Sequence, residues 1–226
     1  MTQTHEGAEP QPGGAVARSS PIRLDRRKAR TRAALVGAAE HFLAEGRTTV
    51  SIRDITERAD VGFGSFFNHF TSKDELFKAA VTDTLLSYAT LRDRLVEGIE
   101  DPAEIFAASF RLTGRLQRRI PEQVRVLLHS GMSVLIHDEG LAPRARQDLV
   151  DGIAQGRFDL EDVELGLMAV GGALLGLLQM LDADPGLDDA DVSDRFTQRV
   201  LRALGVSADE ARALCARPLP ELPDFA

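Results

Sequence analysis

Apolar residues recur every three or four positions along almost the whole chain and nowhere alternate in twos, so the pattern predicts an all-α fold. The first helix spans residues 26–45, with Leu35, Ala38, Ala39 and Phe42 on its inner side. Ile52, Ile55 and Ala59 mark a short second helix. Ser51-x-x-Asp54 opens it as a capping box, in which the serine hydroxyl accepts from the Asp54 amide. Asp60-Val61-Gly62 then breaks the period with residues that tolerate turn conformations, and a third helix follows from Phe63 to Phe70. Ser72-Lys73-Asp74-Glu75 repeats the capping pattern and starts a long helix over 74–98. Its inner face is Phe77, Val81, Leu85, Tyr88, Arg92, Leu95 and Ile99.

Pro102 and Pro121 stand where two further helices begin. One carries Ile105, Phe106, Ser109, Phe110, Thr113 and Leu116; the other carries Val124, Leu127, Leu128, Gly131, Met132 and Leu135 as one stripe. Residues 143–155 form a shorter helix, Asp159 and Asp162 cap an apolar one ending at Leu181, and 189–204 and 208–216 complete the set. Two short helices joined by a tight turn, the second with small and polar residues on one side, are a means of presenting a helix to the DNA major groove. The expected organisation is a disordered arm (1–21), a three-helix helix-turn-helix domain (22–72), a larger helical domain (73–216) and a Pro-rich tail (217–226).

Residues 39–76 resemble the tetracycline-repressor family of bacterial transcription regulators. The family pattern ends its first helix in A-x-x-L-F-x-x-x-G and continues T-x-x-D-I-A-x-x-A-G-V-S-x-G-T-L-Y-x-Y-F-x-x-K-x-x-L. Here the matching residues are Ala39, Phe42 to Gly46, Ser51, Asp54-Ile55-Thr56, Ala59 to Phe70, Lys73 and Leu76. Asp60 stands where the family has Gly, and Asp is among the few other residues that visit positive φ. Gly62 replaces a capping Ser, Phe67 replaces a Tyr whose hydroxyl reaches phosphate, and His69 takes a second Tyr position.

The candidate DNA contacts follow from residue chemistry. Gly64 lets the backbone approach, Ser65 donates to a phosphate or base edge, Asn68 suits adenine, and Phe63 suits a thymine methyl. Arg53, His69 and Lys73 suit phosphates, Phe67 occupies the position of the family's phosphate-reaching Tyr, and Thr49 and Ser51 flank a helix N-terminus. Arg27 and Arg30 lie in a basic segment, 22–32, where six basic residues face Asp25 alone; it could follow the backbone or enter a minor groove.

The resemblance implies a small-molecule pocket in the larger domain, with Phe106, Phe110, Leu127, Leu128, Met132, Leu135 and Gln179 as lining and His129 and His137 as polar members. It also implies a homodimer through helices 160–181 and 189–204, reading an inverted repeat, with the helix over 74–98 transmitting the effector signal. The residues point the same way, since the 160–181 helix has more apolar surface than one domain needs. Arg111, Arg115, Arg118, Arg119 and Arg125 form either an anion-greeting patch or a solvated face.

Composition narrows the alternatives. A net charge of −8 argues against non-specific coating of nucleic acid while leaving local, sequence-specific binding open. The lone Cys215 excludes an internal disulfide and fits a reducing cytoplasm. Leu165 to Leu181 approaches membrane-spanning length, but acidic residues at both ends and missing aromatic or basic anchors favour the centre of a soluble bundle. His129 and His137 lie eight apart, not at the i, i+4 spacing of a helical metal pair, so no metal or cofactor is expected. No nucleophile-base pair suggests an enzyme. The expectation is a ligand-released repressor; a same-fold activator or a regulator answering to a protein is the alternative, and a helical enzyme without DNA binding a remote one.

Overall fold

The computed structural model describes residues 21–135 and 139–222, with side chains from Asp25 onward, and ten α-helices account for most of them. Helix α1 (Pro21–Ala44), α2 (Ile52–Arg58) and α3 (Phe63–Phe66) build the N-terminal head with the first turns of α4 (Lys73–Leu95). Among the described residues there is no strand.

The head closes on Leu35, Ile55, Phe66 and Leu76, each with no exposed surface, joined by Phe42, Phe70, Phe77 and Ala80. Burying such side chains stabilises by about 1.5–3 kcal/mol each, which is what holds the one-turn α3 in place. Asp60 adopts φ 52°, the positive value its place in the turn requires. Helix α3 is shorter than its sequence pattern predicts, because residues 67–69 leave the helix as turns and Phe70 returns to the core.

Helix α4 is common to two cores. Leu76, Phe77 and Ala80 belong to the head, and Leu85 and Tyr88 to a second cluster with Leu116, Val124, Leu127, Val134, Leu135 and Leu178. The helix stops at Leu95, three residues earlier than expected, and Gly98 at φ 84° makes the turn that follows. Asp101 then caps α5 (Pro102–Arg119) by accepting from the Ala103 amide at 3.0 Å.

The stripe from Val124 to Leu135 is not one helix. Helix α6 (Pro121–Ser130) ends at Gly131, whose φ 57° and ψ −145° suit glycine alone, and a 3₁₀ turn over Gly131–Leu135 follows. This break turns Met132 outward, 50% exposed, while Val134 and Leu135 stay buried. Helix α7 (Leu141–Ala154) starts two residues before the expected Pro143.

The apolar α8 (Val163–Ala183) is capped by Asp162 alone of the two candidates, its carboxylate accepting from the Glu164 and Leu165 amides; Asp159 lies too far ahead of the helix, and its amide donates to the Leu204 carbonyl. Helices α5, α6, α7 and α9 (Asp189–Ala203) pack against it, and α10 (Ala208–Ala216) packs on α5 and α9. The tail does not leave the body at Arg217. Its carbonyl accepts from Arg111 at 3.0 Å, its guanidinium pairs with Glu104, and Leu222 packs on the second core cluster.

Candidate nucleic-acid interface and ligand cavity

On the head, α2 is fixed by the expected capping box: Asp54 N donates to Ser51 Oγ at 3.1 Å, and Ser51 N donates to Asp54 Oδ2 at 2.8 Å. The Ser51 amide, and after it the Ser51 hydroxyl, hold the Asp54 carboxyl below the usual carboxylate range. The Ser51 hydroxyl also donates to Asp54, at 2.8 Å, so this side chain is committed to the cap. Lys73 is likewise engaged: Nζ donates to the Val50 carbonyl at 3.0 Å and ties the start of α4 to the strap before α2. Thr49, Arg53, Phe63, Gly64, Phe67 and Asn68 are exposed on the α2–α3 side, and Ser65 and His69 are half-buried.

Arg27 and Arg30 are exposed on the first turns of α1. The described basic segment is therefore helical. A helix is about 10–12 Å across and a B-DNA minor groove about 6 Å, so this part suits the phosphate backbone rather than insertion into that groove.

A cavity of about 90 Å³ lies within the body, walled by α4, α5, α6, the 3₁₀ turn, α7 and α8. Four of the sequence candidates line it: Phe106, Phe110, Leu127 and Leu135. The remaining walls are also mostly apolar, including Leu85, Leu167, Val170 and Leu174. One end is polar. Arg92 of α4 reaches Asp148 of α7 through Nη2 at 2.6 and 2.5 Å, while its Nε donates to Ser109 Oγ at 3.0 Å. Thr113 and Arg144 complete that end, with Arg144 paired to Asp93 at 2.6 Å. Burial pushes the Asp148 carboxyl above the usual carboxylate range despite the attraction of Arg92.

Four candidates stand outside the cavity wall: Leu128, His129, Met132 and Gln179. Leu128 packs on the second core cluster, and Met132 is turned away by the Gly131 break. Gln179 lies on the exposed side of α8. His129 donates from Nδ1 to the Arg125 carbonyl, 2.9 Å away, and its ring abuts Gly46 of the head. His137 lies outside the described residues.

The arginine run of α5 and α6 is mostly neither anion site nor plain solvated face. Arg111 and Arg115 grip Asp194 at 2.7 Å each, and Arg125 grips Asp182 at 2.9 Å. Arg118 donates to the carbonyls of Leu181 and Asp184 at the end of α8 and of Leu187 in the loop that follows. Arg119 alone of the five is an exposed residue with no such bond described.

The polar end of the cavity was missed as a site. Arg92 interrupts an otherwise apolar stripe on α4, which is the signal of a charge with a buried partner. Nothing local marks Asp148, because Arg144 and Asp148, four apart, read like any surface pair.

Residues 34–80 match the family described as bacterial regulatory proteins, tetR family, and residues 101–217 match the tetracyclin repressor-like C-terminal domain. The crystal structure of RolR in complex with its ligand resorcinol shares 33% identity, covers 88% of this chain and 100% of its own, and superposes with a TM-score of 0.63. RolR without ligand gives 0.67 at 33% identity, covering 84% of this chain and 100% of its own. The fatty acid degradation regulator FadR from Bacillus halodurans shares the fold, with a TM-score of 0.62 at 17% identity over 75% of this chain and 94% of its own. No curated protein sequence matches the chain.

Proposed function

The chain belongs to the tetracycline-repressor family of transcription regulators, and from that premise we propose that it is a homodimeric repressor released from an inverted-repeat operator by a small hydroxylated aromatic molecule. The observation that carries the effector class is the cavity, apolar over most of its wall and closed at one end by the buried Arg92–Asp148 pair. A dry apolar cavity of about 150 Å³ accepts benzene, so one of about 90 Å³ suits one ring after small side-chain adjustments and needs larger ones for fused rings or a long acyl chain. A phenolic hydroxyl there donates to Asp148 and accepts from Arg92, and a second has Ser109, Thr113 and Arg144 within the same lining. Resorcinol, the ligand of RolR, has this chemistry: one ring with two hydroxyls.

Dimerisation is supported by α8. Leu165, Ala169, Gly176 and Met180 are exposed with Gly172 half-buried, a spacing of four and three that makes a continuous apolar seam. Only 33% of the helix's most apolar stretch is buried within one chain. The helix is long and apolar enough to cross a membrane, yet Leu167, Leu177 and Leu181 are fully buried against the rest of the fold. An isologous pairing of α8 and α9 with a second copy covers the seam and sets two heads side by side.

Coupling runs through two helices. α4 carries Leu76 and Phe77 in the head core and Leu85 in the cavity wall. The neighbouring α6 places Val126 in the head core and Leu127, the next residue, in the cavity wall. The expected transmitter, the long helix alone, thus gains a second arm. An effector shifts the heads only by binding the released form better than the DNA-bound one.

The test begins with selection of bound sequences from random duplexes by the purified chain, followed by titration of the selected duplex complex with resorcinol. Enrichment of an inverted repeat and dose-dependent release are expected. Enrichment without release by resorcinol or other monocyclic phenols would reject the effector class; no enrichment would reject the repressor itself.

A further inference from the structure

The head turns two phenylalanine rings towards solvent. Phe63 is 54% and Phe67 55% exposed, whereas Phe66 between them is fully buried. The two rings lie one helical turn apart, with centroids 5.7 Å from each other and planes at 68°, so they form a single edge-to-face ridge. Phe67 also meets the ring of buried Phe66 at 5.2 Å, which anchors the ridge to the core. Around it the surface is low: Gly62 and Gly64 flank Phe63, and a Cβ on Gly64 would meet nothing within 4 Å. Thr49 just before α2, Arg53 at its start and Asn68 beside Phe67 in the chain are exposed polar residues of the same head. An apolar patch with polar surroundings marks a surface that meets a partner.

Among the groups that base pairs offer in the major groove, the thymine methyl is the apolar one. Rings that neither donate nor accept strong hydrogen bonds strip water from any amino or carbonyl group they cover and return nothing, so they discriminate against other base edges. We propose that the Phe63–Phe67 ridge reads the 5-methyl group of thymine, so that each operator half-site carries a thymine beneath it. This rests on the DNA-binding reading above.

The duplex selected by the full chain is remade with deoxyuridine in place of thymidine, one position at a time. Uracil keeps the base pair and loses only the methyl. One position per half-site is expected to lose about fourfold in affinity, the factor set by burying one methyl-sized group. Phe63→Ala should lower affinity and abolish that sensitivity, while Asn68→Ala should retain it. Because Phe63 is exposed, its variant should fold, which circular dichroism checks. Tolerance of uracil at every position would overturn the proposal and leave the regulator standing, as would a Phe63→Ala chain that still feels the missing methyl. A variant altered in oligomeric state but not in DNA affinity would make the ridge a contact between copies and overturn it too. Failure to enrich any duplex would remove the DNA-binding reading itself, and this one with it.

Discussion

Removing Asp148 while keeping Arg92 should destabilise the chain far more than removing both. The pair joins α4 to α7 with side-chain exposures of 15% and 14%. Two unit charges about 4 Å apart attract by roughly 4 kcal/mol in surroundings of effective dielectric 20. Burial nevertheless holds the Asp148 carboxyl above its usual range, so desolvation outweighs that attraction. The intact pair therefore adds little net stability, whereas Asp148→Ala leaves a guanidinium sheltered without its main counter-charge. Ser109 and Asp93 still bond Arg92, at 3.0 and 3.2 Å, which places the cost at the low end of the range for broken buried pairs, about 3 kcal/mol. For a chain of 226 residues that is a fall in melting temperature of roughly 6–12 °C. Arg92→Met with Asp148→Leu should return to within about 1 kcal/mol of the parent. Thermal and urea melts at one fixed protein concentration provide the comparison, since a dimer's stability depends on concentration. Resorcinol binding by calorimetry should be lost in both variants. A double variant as unstable as the single one would refute the reasoning, because the damage would then come from lost packing and not from an orphaned charge.

Other perturbations probe the remaining parts. A Cβ on Gly171 would come within 2.3 Å of Leu135 Cδ2, so Gly171→Ala should push that side chain into the cavity. Calorimetry should show resorcinol affinity reduced about tenfold, a cost of about 1.4 kcal/mol, with operator affinity in its absence unchanged. Ser51→Ala removes the cap that orients α2 and should cost about 1 kcal/mol in a urea melt, with weaker operator binding in a gel-shift titration. Ala169→Glu places a charge on the exposed seam of α8 and should yield a monomer in sedimentation without operator affinity. Acidification acts on the head through Asp54, held low by the Ser51 amide and hydroxyl, and Glu75, held low by the Thr71 hydroxyl and amide. Stability from a lowered carboxyl is complete above the ordinary carboxylate range and lost as pH falls through the folded value. Asp148, raised, has the opposite sign: its contribution is greatest in acid and is lost as pH rises through its folded value. Melts from neutral pH downward should therefore weaken in Asp54→Asn less than in the parent.

Capping and turn chemistry made the head legible. Ser51, Asp54, Asp60 and Ser72 act on their own neighbours within four residues, so their spacing in the chain states their structure. Proline at Pro102 and Pro121 works the same way. The apolar stripe after Pro121 misled at Met132, because a hydrophobic period does not reveal a glycine that turns the chain at positive φ. His129 looked like a polar member of a pocket and instead lies against Gly46, on the opposite side of α6 from the cavity. Arg111 and Arg115 looked like free charges, and their partner Asp194 is about 80 residues further along the chain.

Sequence alone determined the helical class, the helix-turn-helix with its caps, the basic approach to it and the surplus apolar surface of α8. Each follows from periodicity, local hydrogen bonding or composition, which need no knowledge of the partner elements. Tertiary structure decided which side of each helix becomes a cavity, that Arg92 meets Asp148 across two helices, and that Val126 and Leu127 serve the head and the cavity from adjacent positions. It also decided that Phe66 is buried while Phe63 and Phe67 stand out. Those outcomes depend on how helices far apart in the chain rotate and stack against one another, and a 3.6-residue period is the same whichever neighbour its apolar face finally meets.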